Sequence, residues 1–142
     1  MRSKIIIYGS MILIALFLVF LAIIVIIRSD WFIRKSIIDD FNKNEVVYAE
    51  LAEELSKLKK PFSFDNENYQ NTGRLGDLLN KAFCENNMKY IETQGNEIYF
   101  AQYIKAFWGY GVVYSENGNK PKSELIRSLQ QINDNWFYYC SE

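Results

Sequence analysis

The sequence predicts an α+β protein: an N-terminal transmembrane helix continues into an amphipathic helix, and a small antiparallel sheet of three or four strands packed with helices follows. Three observations support this fold class. Residues 5–27 form an uncharged apolar run. Apolar positions then recur at helical spacing over residues 28–60. Residues 61–142, the predicted small α+β domain, contain short aromatic and β-branched segments separated by turn residues.

The apolar run from Ile5 to Ile27 predicts a membrane anchor. Its 23 residues contain no charge and no proline, and as an α-helix they would span about 35 Å, more than the roughly 30 Å hydrocarbon core of a bilayer. The run is longer than the apolar part of a signal peptide, and no small-residue cleavage pattern follows it. We therefore predict an uncleaved single-pass anchor in the cell membrane, preceded by a short tail, residues 1–4.

The orientation of the anchor follows only weakly from charge. Positive residues lie on both flanks of the run: Arg2 and Lys4 before it, and Arg28, Arg34 and Lys35 after it. Counting them therefore favours neither orientation. A very short tail at the start of the chain is typical of anchors that keep the tail inside. The C-terminal domain is thus predicted to be extracytoplasmic, with the reverse orientation as the alternative.

Charge and residue types exclude several functions. All 17 acidic residues lie after the apolar run, so the part of the chain beyond it has a formal net charge of about −3. Nucleic-acid binding needs a basic face, so we predict no nucleic-acid partner. The chain has no histidine, which removes the commonest catalytic base and metal ligand. We predict no enzyme activity, no cofactor and no metal site.

The two cysteines allow two interpretations. Cys84 and Cys140 form a disulfide if the domain faces an oxidising compartment. Such a bridge would close a loop of about 57 residues and contribute roughly 4 kcal/mol on the chain-entropy model. The alternative is two separate buried thiols.

Residues 28–60 predict a juxtamembrane amphipathic helix, or stalk, that ends before Pro61. A break near Asn42, which with Glu45 resembles a capping pair, is the alternative to one uninterrupted helix. The stalk has two candidate partners, the chain's own sheet and a second copy in a homodimer. We predict the first. The apolar stripe recurs in steps of three and four with Asn44 in its one gap: Ile37, Phe41, Tyr48, Leu51, Leu55 and Leu58.

The predicted elements of the α+β domain are separated by turn signals. A loop or a short edge strand follows Pro61. Two further helices are expected, from about Gly73 to Asn86 and over Leu125–Ile132. The glycines of the segment Trp108–Gly111 predict a tight bend or a bulge. The predicted strands are 88–93, 97–107, 111–115 and 136–140.

Aromatic residues concentrate in these strands and provide the candidate site. The cluster comprises Phe107, Trp108, Tyr110, Tyr114, Trp136, Tyr138 and Tyr139. Most of it is predicted to form the core. Trp108 lies beside a glycine at a strand end, and Trp108, Tyr110 and Tyr114 are the candidate partner-binding residues. An exposed aromatic patch suits a protein, a peptide strand, a glycan or a membrane surface.

The sequence therefore predicts a membrane-anchored, non-catalytic interaction or accessory module whose partners are the lipid bilayer and a protein of the membrane or envelope. An immunity-type protective protein is an alternative. Another is a structural subunit, because the layout of the whole chain resembles that of type IV pilins and pseudopilins. Gly9 matches the glycine before their processing site, whereas Ser10 replaces the usual phenylalanine and Ile14 the usual glutamate.

Overall fold

The computed structural model describes the backbone of residues 2–58, 60–69, 73–105 and 108–142. It also describes the side chains of these residues, except for 2–10, 26–28 and 105. The chain divides into two compact units, Met1–Ile33 (unit 1) and Arg34–Glu142 (unit 2).

The described elements are two α-helices, one π-helical turn and six strands. The helices are α1 (Arg2–Ser56) and α2 (Gly73–Asn80), and the π-helical turn (Lys81–Glu85) directly follows α2. The strands are β1 (Ser63–Asp65), β2 (Tyr90–Gln94), β3 (Glu97–Lys105), β4 (Trp108–Ser115), β5 (Ile126–Gln131) and β6 (Trp136–Ser141).

All six strands belong to one antiparallel sheet in the order β1-β2-β3-β4-β6-β5. The predicted α+β class and the long N-terminal helix are confirmed. The predicted number of three or four strands is wrong, because the sheet has six. The short edge strand expected as one alternative after Pro61 is β1, which pairs with β2 alone.

Unit 1 consists of the first part of α1. Most of its side chains from Met11 to Val25 are apolar and exposed. Among the described residues, this is the one helix long and apolar enough to cross a membrane, and its position near the N-terminus suits a membrane anchor or a signal sequence. The side chains of Ile5–Ser10 and Ile26–Ile27 in the predicted span lie outside the described part of the chain.

In unit 2 the later part of α1 packs on one face of the sheet, called here the helix face. The ring centroids of Tyr48 and Phe100 are 5.7 Å apart, and those of Phe41 and Trp136 are 4.9 Å apart. A homodimer through the predicted stripe would require the side chains that here pack on the chain's own sheet. The stripe residues buried in unit 2 are Ile37, Phe41, Tyr48, Leu51 and Leu55, whereas Leu58 is partly exposed.

The helix is irregular at Asn44, where φ is −115° and ψ is 18°. The Asn44 side-chain Nδ2 donates to the Asp40 carbonyl oxygen at 3.1 Å and to Asp40 Oδ1 at 3.0 Å. Such local side-chain bonds compete with regular helix geometry. The irregularity lies two residues beyond Asn42, the position of the break considered from the sequence.

The same Asp40 connects α1 to the sheet. Tyr48 Oη donates to Asp40 Oδ2 at 3.0 Å. Gln102 Nε2, from β3, donates to both Asp40 Oδ2 and Tyr48 Oη. This polar group is partly buried, and it sets the position of α1 along β3.

The predicted helix over Leu125–Ile132 is wrong, because residues 126–131 form β5. The pairing of β5 with β6 shifts between Ile126 and Ser128. This bulge inserts an extra residue, so Ile126 and Leu129, three positions apart, pack on the same buried cluster. A spacing of three, which indicated a helix, here results from an irregular strand.

The segment Trp108–Gly111 forms neither a bend nor a bulge, because it lies inside β4. The irregularity of this strand pair lies in β3, where the register shifts between Ala101 and Tyr103. A Cβ on Gly111 would lie 2.0 Å from the Phe100 carbonyl oxygen. Glycine is needed there because the two backbones approach closely. The predicted end of the preceding strand at Phe107 lies outside the described residues.

We predict that Gly111→Ala lowers the free energy of unfolding of unit 2 by about 3 kcal/mol, at the upper end of typical overpacking costs. The matched control is Gly95→Ala. Gly95 has φ +65°, but a methyl group added there would meet nothing within 4 Å, so its cost is limited to about 1 kcal/mol of backbone strain. Urea unfolding in detergent, followed by tryptophan emission, measures both. Equal losses would contradict the close approach.

Candidate functional site

The two ends of the sheet differ in composition. At one end, called the turn end, the connections contain Gly95–Asn96, Glu116–Gly118 and Asn133–Asn135, which are polar or glycine residues. The register places these connections together, because Glu97 pairs with Ser115 and Tyr114 with Trp136.

The opposite end, called the hairpin end, carries exposed apolar side chains. It is defined by Tyr103, Ile104, Trp108, Leu125 and Arg127, at the end of β3, the start of β4 and the start of β5. Tyr103 is 43% exposed, Ile104 51% and Leu125 57%. Strand pairing joins these segments, since Gly109 and Ile126 both pair with Ser141.

An aromatic layer with a cation on it forms the centre of the hairpin end. The Arg127 guanidinium lies 4.4 Å from the centre of the Trp108 ring. Arg127 Nε also donates to Glu142 Oε1 at 3.2 Å. The Trp108 ring stacks on Tyr110 with centroids 6.4 Å apart, and Tyr110 meets Tyr103 at 5.9 Å. Trp108 is thereby held in place while its edge stays accessible.

The structure does not bring the three predicted binding residues together on one surface. Trp108 lies at the hairpin end and is half-buried. Tyr110 is only 3% exposed and forms the buried base of the aromatic layer. Tyr114 is half-buried near the turn end, where its ring contacts Trp136 at 5.1 Å. Tyr114 lies six residue steps along β4 from Trp108, which corresponds to about 20 Å.

Sequence reasoning missed four residues of the hairpin end. The predicted strand 97–107 correctly includes Tyr103 and Ile104, which lie in β3, but it does not indicate that they are exposed. The wrong helix over Leu125–Ile132 includes Leu125 and Arg127. A signal for the first two was present, because the sequence from Tyr103 to Trp108 contains no glycine, asparagine, aspartate or proline. The position of Leu125 and Arg127 depends on β5, which the helical spacing concealed.

The second face of the sheet, called the tyrosine face, is filled by aromatic rings above small residues. Tyr99 and Tyr139 are buried there and meet edge to face, with centroids 5.2 Å apart. Tyr139 pairs with Gly111, and a Cβ on Gly109 would lie 3.2 Å from the Tyr90 hydroxyl oxygen. The Tyr90 hydroxyl, together with Ser141 Oγ at 3.0 Å, therefore occupies the space that a side chain at Gly109 would take, whereas at Gly111 the Phe100 backbone does so.

Burial also controls the ionisation of these phenols. Desolvation, followed by the neighbouring Tyr90, raises the pKa of Tyr139 well above its usual value near 10. Desolvation and the hydrogen bond to Glu97 (2.6 Å) raise the pKa of Tyr99. On the helix face, desolvation and Asp40 raise the pKa of Tyr48. These tyrosines stay protonated at neutral pH; Tyr48 and Tyr99 each donate a hydrogen bond to a carboxylate, and Tyr139 serves packing.

The two cysteines lie in different surroundings and are not bonded to each other. Cys84 is exposed in the π-helical turn, and its Sγ donates to Asn80 Oδ1 at 3.3 Å. Cys140 is buried in β6.

A cleft of about 480 Å³ lies at the turn end, between the last turn of α1 and the connection from β2 to β3. Lys60, Glu97 and Glu116 provide its charges. The Ser56 hydroxyl in its lining donates to the Ala52 carbonyl oxygen at 2.7 Å, so it is engaged within the helix. In the described part of the chain, no group of three histidine, cysteine or carboxylate side chains is arranged to hold a metal ion.

Fold and surface together define an α+β protein with a long apolar N-terminal helix and an aromatic hairpin end. Scans against protein-family models, curated proteins and solved structures found no match to this chain.

We predict that unit 2 loses stability above about pH 10, where unfolded tyrosines ionise. The folded state keeps the protons of Tyr48 and Tyr139, because their pKa values are raised. Folded protein then binds more protons than unfolded protein, so the free energy of unfolding falls as pH rises, by up to about 1.4 kcal/mol per pH unit for each such tyrosine.

Urea unfolding in detergent between pH 7 and pH 11 measures this effect. Tyr139→Phe removes one of the buried phenols, so its loss of stability with pH should be shallower by up to about 1.4 kcal/mol per unit. Lysine titration is common to both proteins and cancels in the comparison. Identical slopes above pH 10 would show that Tyr139 ionises normally in the folded protein.

Proposed function

We propose that this protein is a single-pass membrane protein whose unit 2 is a non-catalytic interaction or accessory module for a partner in the membrane or envelope. In this proposal, residues 5–27 are an uncleaved anchor and unit 2 is extracytoplasmic. Protease added outside intact cells should then remove unit 2.

The observation that carries the proposal is the apolar hairpin end of unit 2. Unit 2 buries its aromatic residues on both faces of the sheet, yet it leaves Tyr103, Ile104 and Leu125 exposed together at one end. Clustered exposed apolar side chains are typical of interaction surfaces. The anchor is supported by the apolar exposed helix of unit 1, which water solvates poorly.

We predict that a photoreactive residue at position 104 captures a reproducible partner in cells. Val46, 70% exposed on α1, is the matched control, and the same probe there should capture nothing reproducible. Trp108→Ala in the chain probed at 104 should reduce capture strongly, because it removes the ring that supports this surface. Capture at both positions or at neither would argue against a specific surface at the hairpin end.

The stability of the variants must be measured as well as their capture of a partner, because an unfolded variant would also lose capture. Trp108→Ala should lower stability by less than about 2 kcal/mol, the range of a partly exposed site. Phe100→Ala, in the core, should cost about 3–5 kcal/mol. If Trp108→Ala destabilises unit 2 as much as Phe100→Ala does, Trp108 is a core residue and the proposal loses its central side chain.

A pilin-like structural subunit is the second candidate. The observation that favours it is the element order, in which one helix, Arg2–Ser56, packs its later part on an antiparallel sheet. Ser10 and Ile14 depart from the residues usual in that class. Intact-mass measurement distinguishes the two candidates, because a mature chain starting at Ser10 supports the subunit and an uncut chain supports the anchor.

A further inference from the structure

We propose that the hairpin end inserts into the interfacial layer of a phospholipid bilayer, with Tyr103, Ile104 and Trp108 as the inserted side chains. This inference rests on the proposed function, because it takes residues 5–27 to be anchored in that bilayer. It names the partner of the hairpin end as lipid. It holds for either orientation of unit 2, since both leaflets present the same layer of glycerol and headgroups above hydrocarbon.

The first argument is the exposure of apolar side chains where β3 ends and β4 begins. Tyr103 is 43% exposed and Ile104 51%, although both lie inside β3, and the half-buried Trp108 is the first residue of β4. The connections at the turn end instead contain the polar and glycine residues that turns ordinarily use, such as Gly95–Asn96 and Asn133–Asn135. The two ends of one sheet therefore differ in the residues that they present.

The second argument is that apolar side chains lie on both faces of the hairpin end. Tyr103 pairs with Tyr110, and their rings meet on the helix face. The adjacent Ile104 pairs with Gly109, on the opposite face. Successive strand residues point to opposite faces. A protein groove contacts one face of a strand pair, whereas a bilayer surrounds an inserted tip and solvates both.

The third argument is the residue types themselves. Tryptophan and tyrosine are enriched at membrane–water interfaces, where an apolar ring and a polar edge are both accommodated. Arg127 lies over the Trp108 ring and remains half-exposed. An arginine in that position can keep its guanidinium among phosphates while its methylenes cover apolar surface.

The test uses the full chain in vesicles of phosphatidylcholine with phosphatidylglycerol, compared with vesicles of the same lipids brominated near the glycerol end of the acyl chains. Bromine quenches tryptophan on contact. The chain has three tryptophans, so Trp31→Phe leaves Trp108 and Trp136, and Trp108→Phe leaves Trp136 and Trp31 beside the anchor; subtracting the Trp136 signal gives the quenching of each. The double variant measures the remaining signal of Trp136, which is buried in unit 2 and also reports folding.

We expect brominated lipid to quench Trp108 at least half as strongly as it quenches Trp31. Quenching of Trp31 without quenching of Trp108 would overturn the insertion and leave the anchor intact. Quenching of neither would overturn both the insertion and the proposed anchor. In cells, a lipid adduct at position 104 supports the insertion. A protein adduct there would overturn the insertion while supporting an interaction module.

Discussion

The structure of unit 2 depends on the burial of Tyr48 between α1 and the sheet. Its ring contacts Phe41, Phe100 and Trp136, which come from the helix, β3 and β6. Its hydroxyl donates to Asp40, and Gln102 donates to both groups. One side chain thus joins the helix to two strands that are not neighbours. Because the ring is fully buried, its polar end needs these partners.

The sequence was sufficient for the elements whose side-chain period is regular. The stripe from Ile37 to Leu55 predicted the buried side of α1, and alternating aromatic residues predicted β6. Two runs on either side of a turn signal predicted β2 and β3, although β3 contains a register shift. The prediction failed at β5. In β5 the shift between Ile126 and Ser128 produces a helical spacing in an extended strand. At Gly111 the sequence shows a flexible residue, while the reason for it is the carbonyl of Phe100 on another strand.

The hairpin end could be predicted only in part, because its residues come from strands that are neighbours in the sheet but not in the sequence. Trp108 was identified because a glycine and a strand end adjoin it in sequence. The sequence groups Tyr110 with Trp108, because the two are alternate residues of one strand. They nevertheless differ in burial, because a helix covers only part of that face of the sheet. Leu125 and Arg127 join the surface through β6, a neighbour that sequence order does not reveal. A surface made from three strands requires the strand order β4-β6-β5, which is a tertiary property.

The two edges of the sheet have a consequence for the behaviour of the protein at high concentration. Open edge strands offer free amides and carbonyls to other chains. Here β1 has only three residues, and it ends in a turn where Asp65 Oδ1 accepts from the amides of Glu67 and Asn68. The other edge, β5, carries a bulge and mostly polar exposed residues. Both features limit strand-by-strand polymerisation, so crowding of many copies need not lead to aggregation.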